Sequence, residues 1–310
     1  MKSFKQTMGI VEWTMLIVIS ICWGSSFFFN RIAVVEIPVL TIVLGRVGIG
    51  AVLIYAVARA RDMALPRDSE TWGQLTLLSI LQYTAPLILI VWSQRHIPSG
   101  LASILNAMTP IWASIAAHLM TQDERLTAPR IIGVLFGVLG VVVMIGPQAF
   151  AGPHHNLLAE LASVAAAACF GVAAVYSRRF HKKKIPTPVV ATGSMMIGTL
   201  TLLPLVLFID QPWNLPQNPS LQAWGAVLAL GVLAGALAFI LFLSLIARAG
   251  AMNASLVTIL NPVTAILLGT LLLGEVLELR HYLGILLIAL GFAILDGRLI
   301  KWMRARFSPA

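Results

Sequence analysis

Residues 100–110, GLASILNAMTP, set Ser103, Asn106, Thr109 and Pro110 inside an apolar run long enough to cross a bilayer. A related stretch, NASLVTILNP at 253–262, repeats the pattern with Ser255 and Pro262. Steps of three and four residues put Gly100, Ser103, Asn106, Pro110 and Ser114 on one helical face. Such a face either packs against a neighbouring helix, where small residues and hydroxyls act as glue, or lines a cavity. For Ser103 and Ser114 packing is the simpler account. Asn106 carries more polar groups to satisfy, so cavity lining weighs equally there. Pro110 and Pro262 each remove a backbone donor and free an upstream carbonyl, which lipid tolerates only where protein or water satisfies it. Their recurrence marks them as candidate hinges.

Other candidates follow from polar or aromatic side chains near the middle of apolar runs. Trp23, Ser26 and Asn30 are spaced i, i+3, i+7; Gln82 and Tyr83 lie mid-run, where a lipid-facing amide is expensive. Phe170, Phe239 and Ser255 complete a set suited to neutral contacts in aromatic surroundings. Arg46 alone is a cation inside a run, either a contact for a substrate carboxylate or a structural arginine that snorkels or ties down carbonyls. All twelve acids fall near run ends or in loops, so no buried carboxylate is expected to relay protons. Paired acids, metal-type spacings and nucleophile–base sets are missing, which argues against an intramembrane enzyme, a metal site and a cofactor. His154 and His155 lack a third ligand in sequence reach. Cys22 and Cys169 sit in apolar runs and suggest no disulfide framework.

These residues must be positioned by membrane helices. With 59% hydrophobic and 11% charged residues and a mean hydropathy of +0.91, a soluble globular chain is excluded. Apolar runs near 11–34, 39–60, 72–95, 100–121, 127–147, 157–179, 187–209, 222–247, 251–274 and 280–299 predict ten transmembrane helices. The first is membrane-length and followed by no small-residue cleavage site, so a retained helix is expected rather than a signal peptide. The net charge of +9 could suggest nucleic acid, but its distribution does not. Placing both termini inside puts 17 of the 21 Lys and Arg on the cytoplasmic side, leaving Arg31, Arg95 and Arg280 outside and Arg46 within a helix.

The chain also repeats itself. Ser103 aligns with Ser255, Pro110 with Pro262 and Asp123 with Glu275; near the start of each half, Trp23 aligns with Phe170 and Gly24 with Gly171. Five helices per half make the second copy enter from the opposite face. Inverted repeats of this kind let transporters alternate access around a midplane site. The expected architecture is all-α, two inverted five-helix repeats around a central cavity, with domains at 1–150 and 151–310.

The motifs WGSSF with a following Arg31 and Pro38, ASILNAMTPIWASIAAHLMTQDERL, and ASLVTILNPVTAILLGTLLLGEVLELRHYLGILLIALGFAIL resemble the drug/metabolite transporter superfamily in its ten-helix EamA form. One departure is QDERL, where the family commonly has GER. The resemblance implies a multi-pass protein of the bacterial inner membrane that exports small metabolites, most like exporters of aromatic and other neutral amino acids. Its partners would be a small-molecule substrate and the lipid bilayer, with no nucleic acid, and the protein is expected to be a monomer. A sugar-phosphate exchanger would need several buried cations and a quaternary-cation pump an embedded acid, neither of which the chain supplies.

The charge asymmetry makes a topology prediction. A fluorescent protein fused after Ala310 should fluoresce in the cytoplasm, and alkaline phosphatase fused after His96 should be active. The reverse pattern would invert the topology.

Overall fold

The bilayer core offers no partner to a backbone N–H or C=O, so each apolar run can cross only as a helix. The computed structural model describes residues 8–121, 127–145, 155–215, 217–254 and 256–296. Ten helical passes follow in chain order. They are α1 (Ile10–Ala33), α2 (Val39–Ala60), α3 (Ser69–Ser93), α4 (Ser99–Met120) and α5 (Ala128–Ile145). The second set is α6 (His155–Tyr176), α7 (Thr187–Asp210), α8 (Leu221–Ala249), α9 in two segments (Ala251–Ala254 and Val257–Leu273) and α10 (Leu279–Asp296). Every end lies within three residues of its sequence boundary. Seven of the helices are long and apolar enough to span; the apolar stretches of α5, α9 and α10 are shorter.

The repeats share their irregularities as well as their helices. Asp68 and Ser220 are the N-caps of α3 and α8, accepting the N–H of Thr71 at 2.8 Å and of Ala223 at 3.2 Å. In that register Trp72-Gly73 lies over Trp224-Gly225, and the π-helical turn Ile80–Thr84 of α3 falls within the π-helical segment Leu230–Leu237 of α8. Pro86 explains the first, because without an N–H it cannot continue the α ladder, and the Ala85 N–H reaches back to Ile80 O instead.

Lipid gives helices little hydrophobic reason to associate, so close approach rests on small residues. A Cβ on Gly24 would come 2.7 Å from Asn261 O, and one on its counterpart Gly171 would come 2.6 Å from Ala113 N. The α1–α9 and α6–α4 crossings are therefore the same contact seen in both repeats. Where α5 meets α10, a Cβ on Gly140 would lie 2.8 Å from Gly284 O, and one on Gly291 would lie 2.6 Å from Gly133 O. Between α2 and α8, Gly50 and Gly235 approach almost backbone to backbone. Large apolar residues such as Phe208 and Leu271 are left exposed on the outer surface of the bundle, where lipid covers them.

Two sequence expectations need amendment. The expectation that no carboxylate is buried fails at Glu160, which tertiary packing leaves 8% exposed although it lies in the second turn of α6. Pro110 and Pro262 also differ. The chain turns at Ala107 and Met108 before Pro110, whereas Pro262 stays inside a continuous helix.

The glycine contacts set an ordering of stabilities. Gly140→Val should cost about 1–3 kcal/mol by forcing α5 from α10. Gly73→Ala, with nothing within 4 Å of the new methyl, should be neutral or stabilising by up to about 1 kcal/mol. Thermal unfolding in detergent measures both, and equal shifts would remove the close-packing account.

Candidate functional site

The mid-span π segments are where the ladder opens. A π turn widens the helix and leaves carbonyls off the regular pattern, as often happens at functional sites. In α8 one of these is used: Trp23 Nε1 donates to Ala234 O at 3.1 Å, and the indole stacks at a tilt on Phe242 with centroids 4.9 Å apart. The repeat register puts Gln82 where α8 has Ala234, and Phe170 where α1 has Trp23. Phenylalanine has no N–H to give. Repeat one therefore keeps at this point a half-buried Gln82 whose side chain makes no hydrogen bond among the described residues.

The aromatic candidates gather around that region. Tyr83 belongs to the buried cluster that contains Val47, Leu87 and Met195, with Phe170 and Phe239 packed against it. Phe170 also packs against the second large cluster, around Leu105 and Ala166, so it sits at the seam between them. Arg46 is half-buried in α2, its own carbonyl 3.2 Å from where a Cβ on Gly235 would stand. Its guanidinium has neither a hydrogen bond nor an ion pair among the described residues. Asn106 is half-buried too, and its Oδ1 has no partner among the described residues. The Asn106 carbonyl, deprived of a donor by Pro110, takes the Thr109 hydroxyl at 2.7 Å.

Other candidates are committed elsewhere. Ser26 and Ser103 donate to carbonyls of their own helices, Trp23 O at 2.6 Å and Gly100 O at 2.7 Å. Asn30 is fully buried and donates to Gln94 Oε1 at 3.1 Å, while Gln94 Nε2 donates to Phe27 O at 2.7 Å. Arg31 donates to the Gln94 carbonyl as well. Asn30 thus belongs to a lock between the ends of α1 and α3. Ser255 lies outside the described residues.

Sequence reasoning missed Gln94, Trp112 and Asn261. Among the described residues Trp112 Nε1 and Asn261 Oδ1 are buried without partners, like Asn106 Oδ1 and Asn30 Oδ1. The rule that selected Asn106, an amide with several polar groups to satisfy inside an apolar run, also fits Asn261. Nothing in the sequence pairs Gln94 with Asn30. Among the described residues no group of three His, Cys, Asp or Glu could hold a metal ion; His154 is not among them. Charge at the helix ends is ordered instead. Ser220 donates through both its N–H and its hydroxyl to Glu36, which holds that carboxyl below the usual glutamate range.

The EamA-like transporter family matches residues 12–146 and 157–295. Uncharacterized transporter YoaV of Bacillus subtilis is 24% identical, covering 93% of this chain and 95% of the relative. The uncharacterized inner membrane transporter YedA of Escherichia coli is 26% identical over 87% of this chain and 85% of its own. A probable terminal-alkyne amino-acid exporter of Streptantibioticus cattleyicolor is 24% identical, covering 85% and 86%. A crystal structure 20% identical to the chain superposes with a TM-score of 0.66, covering 93% of this chain and 96% of that one, and shows the same fold. Two matched repeats, ten helices and relatives named as transporters lead to one conclusion: the chain is a membrane protein of the EamA-like transporter family.

Proposed function

We propose that this protein exports small neutral or zwitterionic metabolites, apolar and aromatic amino acids first among them, across a bacterial inner membrane by alternating access and without ion coupling. The observation that carries the reading is the polarity of the mid-span groups. Arg46 is unpaired among the described residues, Gln82 and Asn106 are neutral amides with free acceptors or donors, and the surroundings are Trp23, Tyr83, Phe170 and Phe239. One guanidinium suits one carboxylate. The amide oxygens suit an ammonium, and the aromatic rings suit an apolar side chain. The exporter relative named for a terminal-alkyne amino acid supports the same substrate class.

A phosphorylated substrate would need several cations where only Arg46 is found, and an organic cation would need a carboxylate. Glu160, although buried, lies near the outer end of α6 rather than beside Gln82. Absence of a mid-span acid favours movement down a gradient over proton antiport.

Purified protein in liposomes loaded with labelled phenylalanine, leucine or other neutral amino acids should release them without an imposed pH gradient. Arg46→Gln should slow that flux about tenfold or more, since a charge-assisted contact is worth about 1.5–3 kcal/mol. Gln82→Ala and Asn106→Ala should each slow it several-fold, with Ser26→Ala near wild type. Flux that appears only with a pH gradient would reject the facilitator, and flux unaltered by all three site changes would reject the site.

A further inference from the structure

Helix N-termini carry orphan N–H groups and a partial positive charge, which a carboxylate satisfies. On the face where α1 ends, assigned to the outside by charge, three such termini are held by carboxylates borrowed from the opposite repeat. Asp210, the last residue of α7, accepts the Thr41 N–H at 2.7 Å and its hydroxyl at 2.8 Å at the start of α2. Glu36, just after α1, accepts the Ser220 N–H at 2.5 Å and its hydroxyl at 2.8 Å at the start of α8. Glu275, just after α9, accepts the Ser99 N–H and hydroxyl, both at 2.8 Å, and the Gly100 N–H at 3.1 Å at the start of α4.

The backbone is shaped for the third contact. Gly274 takes a φ of +65°, which turns the chain back after α9. Gly269 leaves open the space beneath, where a Cβ would stand 2.9 Å from Ser99 Oγ. Glu36 and Glu275 also border one outer depression of about 320 Å³, together with Arg31 and Gln222. Water in that depression can replace hydrogen bonds as they break, so these contacts can be released without stranding buried charge.

The opposite face is built from the same repeat and is different. Pro38 and Pro186 both precede a helix, and that register puts Asp62 in the place of Asp210. Asp62 is exposed and makes no side-chain hydrogen bond among the described residues. The helix it would cap, α7, begins Pro186-Thr187-Pro188, two residues of which have no N–H to offer. Glu36 before Ile37-Pro38 becomes Lys184 before Ile185-Pro186, and it is the adjacent Lys183 that pairs with Glu70 at 2.9 Å. Arg248 and Glu12 pair at 3.5 Å. Both ion pairs join the two repeats, at least one partner of each is well exposed, and exposed pairs contribute little. Asp123, the counterpart of Glu275, lies outside the described residues.

We infer that Glu36, Asp210 and Glu275 are the outer gate of the transporter. Each latches a helix of one repeat to the other, so together they hold the outer ends of α1 with α8, α2 with α7 and α4 with α9. Opening outward requires their release, and Asp62 then caps α7 as the weaker inner latch. The inference rests on the alternating-access reading above, and the test separates the two.

The test is sided labelling. In a Cys22→Ser, Cys169→Ser background, Gln82→Cys serves as a mid-span reporter for a membrane-impermeant maleimide applied to right-side-out and to inside-out vesicles. With the three latches intact, labelling should be faster from the inside. Glu36→Gln with Asp210→Asn and Glu275→Gln should raise the outside rate about tenfold or more and lower the inside rate, because hydrogen bonds to charged groups are the ones lost. Thr41→Ala with Ser99→Ala and Ser220→Ala keeps the carboxylates and the backbone bonds, so it should shift labelling the same way by a smaller factor. This second set decides the matter if the first does not fold. Asp62→Asn added to the latch-free protein should shift labelling partly back toward the inside. Unchanged sidedness in both sets, in protein that stays monodisperse, overturns the gate even if amino acids are still transported. Sidedness that switches, when protein that retains Gln82 moves no amino acid in liposomes, supports the gate and rejects the proposed substrate.

Discussion

Every feature of this protein answers to one constraint, the lack of hydrogen-bond partners inside the bilayer. A chain so apolar has to satisfy its backbone helix by helix, and wherever a helix breaks some other part of the protein must supply the missing partner. At Pro110 the Thr109 hydroxyl takes the carbonyl that the proline abandons. In the π segment of α8 the Trp23 indole takes Ala234 O. At the helix starts on the face where α1 ends, carboxylates from the other repeat take the orphan N–H groups. The places where the helices are imperfect are therefore the places where distant parts of the chain are tied together.

The inverted repeat makes those ties comparable across the molecule. Gly24 against α9 and Gly171 against α4 are one contact used twice, which sets the helix framework. Where the repeats depart from each other, chemistry appears. Phe170 in place of Trp23 removes a donor and leaves Gln82 free; Ser194 stands where the first repeat has Arg46; Lys184 stands where it has Glu36. A symmetric scaffold with asymmetric side chains is the arrangement that the proposed alternating access calls for.

That asymmetry also explains why polar candidates sort into two kinds. A hydroxyl can bond to its own helix three or four residues back, and most of those here do so, including Ser26, Ser103 and Ser114. Their polarity costs nothing and says nothing about a ligand. An amide or a guanidinium cannot satisfy itself that way. Asn30 donates to Gln94 but keeps a buried Oδ1 without a partner among the described residues, as Asn106 does, and the Gln82 and Arg46 side chains make no hydrogen bond among them.

By itself the sequence determined the ten helices, their boundaries to within a turn, the repeat register and the concentration of Lys and Arg on the side of the termini, because each depends on local hydrophobicity, on self-similarity or on the placing of charge between runs. It also marked the proline and amide positions near the midplane. Only the tertiary structure decided which of those groups were already spoken for. The Asn30–Gln94 pair, the Trp23 bond to Ala234, the burial of Glu160 and the three carboxylate latches all join residues far apart in the chain. Helix packing brings them together, and no periodicity or composition encodes which orphan group a distant side chain will meet.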